Sequence, residues 1–198
     1  MRKEKSGQEV EIRAVFKEAI DELITAIDTC FKNKLFMPGL ILLYSGIDIM
    51  AWLDRKKSHP DVKGSDFIRW TKSYILPNLC VSCEAIDLFG ARCSLLHSYT
   101  AESRLSRVRK AKKIFYAWGP KRAEELQYVL NRSGKEHIVV LDVGELFSSF
   151  QKGIQDFVLF LQQDSNRFKL VNDRSIKFFG KIKARDLAKR FLGIEQLG

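Results

Sequence analysis

Apolar residues recur at three- and four-residue steps through residues 8–33, as Val15/Phe16, Ala19/Ile20, Leu23/Ile24, Ile27 and Cys30/Phe31, with acids and lysines between them. That period predicts one long amphipathic helix. After a connector at residues 33–37, Pro38 suits the first turn of a second helix over 38–54. This segment is apolar nearly all round, which predicts the central helix of a bundle. Residues 55–64 read as a polar loop around Ser58-His59-Pro60-Asp61. Ser65 is the expected cap of a short helix that places Phe67, Trp70 and Tyr74 on one face and ends at Pro77. A fourth helix is expected from near Ser82 to His97 or Tyr99.

The pattern changes after residue 100. Lys113–Trp118 and His137–Asp142 are short β-type runs, and Pro120–Leu130 between them reads as helix, ending at Ser133-Gly134. A helix over 144–163 follows, with Leu146/Phe147, Phe150, Ile154, Phe157/Val158 and Leu161 on one side. The tail from Ser165, with Phe168, Val171, Phe178, Phe179 and Phe191, is read as helical. The predicted fold is mainly α: a four-to-five-helix bundle with a small strand–helix–strand attachment. Residues 1–100 form the bundle core. Residues 101–198 form a basic C-terminal part, with the attachment at about 112–142, packed with the core as one domain.

Composition narrows the class. Hydrophobic residues make up 45% of the 198, which argues for a folded chain. The longest apolar stretch, Met37–Leu53, is interrupted by Pro38, Gly39, Ser45, Gly46 and Asp48, so no membrane span is expected. The charged N-terminus is no secretory signal, and a cytoplasmic location is expected. Four cysteines (Cys30, Cys80, Cys83, Cys93) do not suggest a disulfide framework. Of 34 basic and 24 acidic side chains, residues 101–198 hold 20 and 11, so nearly all the excess charge lies in the second half. Arg104, Arg107, Arg109, Lys110, Lys112 and Lys113 are its densest part, and they are the expected RNA contacts, since a basic stripe binds a polyanion by counterion release. A solvated face that aids solubility is the other reading. Phe115, Tyr116 and Trp118 are read as core residues, with base stacking as the alternative.

The fourth helix carries Arg92-Cys93-Ser94-Leu95-Leu96-His97-Ser98-Tyr99, an R-x4-H-x-Y motif. Its placement late in a helical bundle resembles the HEPN family, helical nuclease domains of prokaryotic toxin–antitoxin and defence systems. The resemblance covers the first hundred residues in architecture and these eight in motif. It implies a metal-independent endoribonuclease acting as a homodimer, without cofactor or metal, in which Arg92 and His97 match the catalytic pair. Tyr99 matches a tyrosine that, in one toxin branch, a nucleotidyltransferase-like antitoxin adenylylates. Cys93 stands where the family usually has a polar residue. The alternative function is therefore a decayed, non-catalytic module binding RNA or a protein partner through the basic half.

The residue types fit the chemistry independently. Histidine moves protons near neutral pH, and arginine stays charged and clamps phosphoryl oxygens. At about 100° per residue the two lie roughly 140° apart around the helix, so either the helix ends near His97 or a second copy completes the site. Asp48, set among Ile47, Ile49, Met50 and Trp52, needs a partner. Arg92 or His97 would orient the site through it; a hydrogen bond to Tyr44 or a place at the bundle's wet edge is the alternative. A zinc reading of Cys80, Cys83, Cys93 and His97 fails on reach, because about ten helical residues span about 15 Å while zinc ligands converge within ~4 Å.

Overall fold

The structure, a computed structural model, describes the backbone of residues 3–178 and the side chains of residues 16–175. Helix α1 spans Lys3–Lys32, α2 Phe36–Asp54, α3 Gly64–Trp70, α4 Ala85–Ser98 and the short α5 Arg104–Arg107. Strand β1 (Lys113–Ala117), helix α6 (Pro120–Arg132) and strand β2 (Ile138–Asp142) follow, then α7 (Val143–Gln163) and α8 (Ser165–Phe178). The mainly helical architecture with a strand–helix–strand attachment is the one the periodicity predicts. The expectations for Phe178, Phe179 and Phe191 concern side chains outside the described set.

Helix α2 is central: most of its surface is buried, and a half-buried stripe runs through Ile41, Ser45, Asp48, Ile49 and Trp52. Leu40, Leu43, Tyr44, Ile47, Met50, Ala51 and Leu53 are all fully buried. By length and composition α2 alone among the described helices could cross a bilayer, at a mean hydropathy of 1.6, but half of that window is buried against the rest of the protein. Helix α7 brings Leu146, Phe150, Ile154, Phe157 and Leu161 into the same core, so both halves of the chain supply it.

Two boundaries differ from expectation for the same reason: a carboxylate inside the first turn does the capping. Helix α3 starts at Gly64, and Lys63, not Ser65, is its N-cap, with the Lys63 backbone N–H donating to Asp66 Oδ2 at 3.1 Å. Helix α4 starts at Ala85 rather than near Ser82, where the Glu84 backbone N–H donates to Asp87 Oδ2 at 2.8 Å. The helix expected to run to Pro77 instead widens into a π-helical turn at Thr71–Ile75 and tightens into a 3-10 turn at Leu76–Asn78. The widened turn lets its backbone press on α7: a Cβ at Gly153 would lie 2.5 Å from the Tyr74 carbonyl oxygen.

His59 Nδ1 sits 2.8 Å from Asp66 Oδ2. Burial pushes the Asp66 carboxyl up, but hydrogen bonds from His59 and the Lys63 backbone outweigh it and hold it below the ordinary range. A depressed folded-state pKa stabilises above the unfolded value and is lost as pH falls through the folded one. Asp66→Asn is expected to lower the urea midpoint at neutral pH, with the gap to wild type closing below about pH 4. A gap that persists in acid would assign the loss to packing instead.

Strands β1 and β2 pair in parallel, Ile114 with Val139 and Tyr116 with Leu141, and α6 is the crossover. Ile114, Val139 and Leu141 face the main core, while Ala117 and Val140 pack under α6 with Ala123. The outer edge of β2 is closed by Gln127, whose Oε1 accepts from the Val140 N–H at 2.8 Å and whose Nε2 donates to the Ile138 carbonyl at 3.1 Å. Asp142 joins the unit to α7, accepting from the Gly119 N–H at 2.6 Å and the Glu145 N–H at 2.8 Å. Gly119 holds φ at +103° to make that turn.

Helix α8 is tied to the C-terminal end of α2 by arginines. Arg174 Nη1 donates to the Leu53 and Arg55 carbonyls at 2.7 and 2.6 Å, and Arg167 Nε to Asp54 Oδ1 at 2.9 Å. Asp54 also pairs with Arg69 Nη1 at 3.1 Å. Cationic groups at a helix C-terminus meet its unpaired carbonyls and the negative end of its dipole.

Candidate catalytic site on α2 and α4

Asp48 lies one turn after Tyr44 on α2, facing α4. Arg92 Nε donates to Asp48 Oδ2 at 2.8 Å, and the two side chains are 23% and 24% exposed, a pair at the mouth of the bundle rather than in its core. The neighbouring Tyr44 does not hold Asp48: its hydroxyl shares a 2.8 Å hydrogen bond with Tyr116 of β1. Burial pushes both tyrosines up in pKa. Burial also pushes the Asp48 carboxyl above its ordinary range, against the pull of Arg92 and His97. On Arg92 burial acts downward, and the hydrogen bond and charge of Asp48 outweigh it, so its pKa is raised. The 2.8 Å geometry is that of a carboxylate bound to a guanidinium.

The guanidinium makes a second contact at its outer end. Arg92 Nη1 lies 3.4 Å from His97 Nε2. Five helical residues separate their backbones by roughly 140° around the axis, so convergence was not expected within one straight helix. It occurs because the helix ends at Ser98, which leaves His97 in the last turn, and because the arginine side chain is long enough to reach across. The end of α4 is marked by Tyr99, which adopts φ +55° as a left-handed cap, its N–H donating to the Leu95 carbonyl at 3.2 Å. Its ring is 57% exposed beside the exposed His97. Cys93 is half-buried next to Arg92.

The basic run is held against the same helix. Asp87, buried on α4, accepts from the Lys112 backbone N–H at 2.6 Å. A Cβ at Gly90 would lie 3.2 Å from Ser103 Oγ and 3.3 Å from Ala111 Cβ, so glycine lets the loop lie close. Gly90 and His97 are seven residues apart and share a face of α4, about 10 Å apart along its axis. The loop therefore leans on the His97 side. Arg104, Arg107, Arg109, Lys110 and Lys112 are exposed, whereas Lys113 is half-buried and paired with Glu102 at 3.0 Å, which removes it from the free cations. The aromatic expectation divides. Tyr116 is half-buried against Tyr44 and Trp118 lies against Phe36, ring centroids 3.9 Å apart and tilted by 42°, but Phe115 is 40% exposed.

Asp87 and Gly90 escaped the reading of the sequence. An acid in the first turn of a helix signals capping, which Asp87 also does, and nothing marks its second bond to a residue twenty-five positions on. Among the described residues no three His, Cys, Asp or Glu side chains gather as a metal site would require, and all four cysteines are free thiols. Set against known protein families, curated proteins and solved structures, the chain matches none.

Proposed function

We propose that the protein is a metal-independent endoribonuclease of the HEPN type, with His97 as the proton-transfer group and Arg92 as the phosphate clamp. The observation that carries this reading is the linked triad: Asp48 on Arg92 Nε at 2.8 Å, and Arg92 Nη1 within 3.4 Å of His97 Nε2, at the exposed end of α4. A phosphodiester oxygen placed on the guanidinium brings the adjoining ribose to the imidazole. The unprotonated ring nitrogen of His97 removes the proton from the 2′-hydroxyl, the 2′-oxygen forms a bond to phosphorus, and the bond from phosphorus to the 5′-oxygen breaks. The departing 5′-oxygen takes a proton from water, or from His97 of a second copy where two copies pair. The products are a 2′,3′-cyclic phosphate and a 5′-hydroxyl. Arginine suits the clamp because it stays charged and forks onto two oxygens as negative charge builds. Asp48 is a positioning residue, holding the guanidinium by one nitrogen and leaving its other two toward the ligand.

The exposed cations at 104, 107, 109, 110 and 112 supply the track for the rest of the strand. Replacing Arg104, Arg107 and Arg109 together by alanine is expected to flatten the plot of log affinity against log salt by about 0.7 per lost phosphate contact, without loss of fold. An unchanged slope would place the RNA elsewhere.

The reading is tested with one RNA in two forms, unmodified and carrying a single 2′-deoxy residue at the mapped cut. Loss of that cut alone is expected, since the nucleophile is gone. Equal cleavage of both forms would mean that water attacks phosphorus, and the proposed chemistry would fall.

A further inference from the structure

The contact between Arg92 and His97 has a consequence for which nitrogen of the ring carries the proton. A guanidinium has only donors and stays charged, so a ring nitrogen facing it at hydrogen-bonding distance must present a lone pair. At His97 that nitrogen is Nε2, 3.4 Å from Arg92 Nη1. The neutral ring must then carry its proton on Nδ1. The same contact occupies the one lone pair the neutral ring has, so no nitrogen is left to accept the 2′-hydroxyl proton until the guanidinium leaves and the ring is free to turn and exchange tautomer. The site of the free protein is thus set in a geometry where its two working groups face each other.

We propose that Arg92 masks His97 in the free protein, and that an arriving phosphodiester unmasks it by drawing the guanidinium onto its own oxygens. The exchange is favoured on the arginine side, because a hydrogen bond from a guanidinium to an anionic oxygen is stronger than one to a neutral ring nitrogen. It asks little movement. Asp48 keeps Nε at 2.8 Å before and after, so only the Nη atoms change partner. His97 is exposed at the helix end, free to turn once released. The base is therefore available only where a phosphate is already clamped, which couples proton transfer to substrate binding. This inference rests on the nuclease reading for its purpose, though not for its measurement.

The measurement is the tautomeric state of the three histidines, His59, His97 and His137, by nitrogen-15 NMR of the labelled full-length chain at about pH 8, above the ordinary histidine value. His137 is exposed and its ring makes no hydrogen bond among the described residues, so it reports the unconstrained mixture in the same spectrum. In free wild type, His97 is expected as the form protonated at Nδ1. In Arg92→Ala it is expected to revert to the mixture that His137 shows, with the remaining spectrum that of a folded protein. Adding a short single-stranded DNA, which carries the phosphodiester but no 2′-hydroxyl to react, is expected to move wild-type His97 off the Nδ1 form while His59 stays put. A free wild-type His97 protonated chiefly at Nε2 overturns the proposal. So does an Nδ1 form that survives saturation with DNA, or DNA that shifts no resonance of α4. A protein that cleaves RNA while His97 holds its proton on Nε2 sinks the masking alone. One that switches tautomer on DNA yet never cleaves RNA sinks the nuclease reading alone.

Discussion

Replacing His97 by alanine is expected to cut RNA cleavage by about 10²–10⁴-fold, the usual contribution of a positioned proton-transfer group. The same change is expected to leave the protein folded and its salt-dependent RNA affinity near wild type. His97 is exposed in the last turn of α4, and among the described residues the hydrogen-bonding partner of its ring is Arg92, at 3.4 Å. Surface substitutions of this kind stay within about 0.5 kcal/mol of the parent in stability. The exposed cations proposed to hold the strand lie on a different segment, so binding and cleavage are expected to separate. Single-turnover cleavage and filter binding on the same preparation make the comparison. Cleavage that survives intact would remove His97 from the mechanism. A fall in binding equal to the fall in rate would make it a contact for the strand instead.

The largest effect on stability is expected from Asp54→Ala, a loss of about 3 kcal/mol. Asp54 is 4% exposed at the end of α2 and meets Arg69 and Arg167, with Arg174 beside it capping the neighbouring carbonyls. Burial holds its carboxyl above the ordinary range even against those cations, and burial together with Arg55 and Arg167 draws Arg174 down to about 10. Without Asp54 the guanidiniums face one another with the Asp66 carboxylate, 3.4 Å from Arg69 Nη2, as the remaining counter-charge among the described residues. The figure sits at the low end for a broken buried pair because Arg69 and Arg167 remain 31% and 22% exposed, so water relieves part of the cost. Against a total of about 5–15 kcal/mol this is a large share. Urea denaturation measures it, and Asp54→Ala with Arg167→Met should recover part of the loss, as coupled sites do. A single variant within error of wild type would mean that the helix-end carbonyls alone satisfy the arginines.

The sequence was most readable where burial imposes a period. Helices α1, α2 and α7 and both strands lie where their apolar residues recur, because each must turn one face, or for α2 most of its surface, toward the core. Caps were read less well. Ser65 looked like the start of α3, but Asp66 has the longer reach back to the Lys63 N–H, and a pattern of residue types does not rank the two. The π-helical turn was invisible, since it is set by how closely α7 can approach at Gly153, a tertiary matter. In the site, the need of Asp48 for a partner was legible from an acid among apolar neighbours, and Arg92 fills it. The meeting of Arg92 with His97 is legible in part: a helix ending near His97 is one of the two routes the angle leaves open, while an angle between Cα positions ignores the length of an arginine side chain. The arginines of α8 were hidden: backbone carbonyls at the end of α2 are their chief partners, and a carbonyl leaves no mark in a sequence.

The most direct test of the central claim is cleavage of RNA by the purified protein in excess EDTA, with end-group analysis of the fragments. Cuts are expected to persist in the chelator and to leave 2′,3′-cyclic phosphate and 5′-hydroxyl ends. Cleavage that stops in EDTA, or no cleavage at all by folded protein across varied RNAs, would contradict it, and in the latter case the exposed cations of residues 104–112 become the place to seek function, as a binding surface.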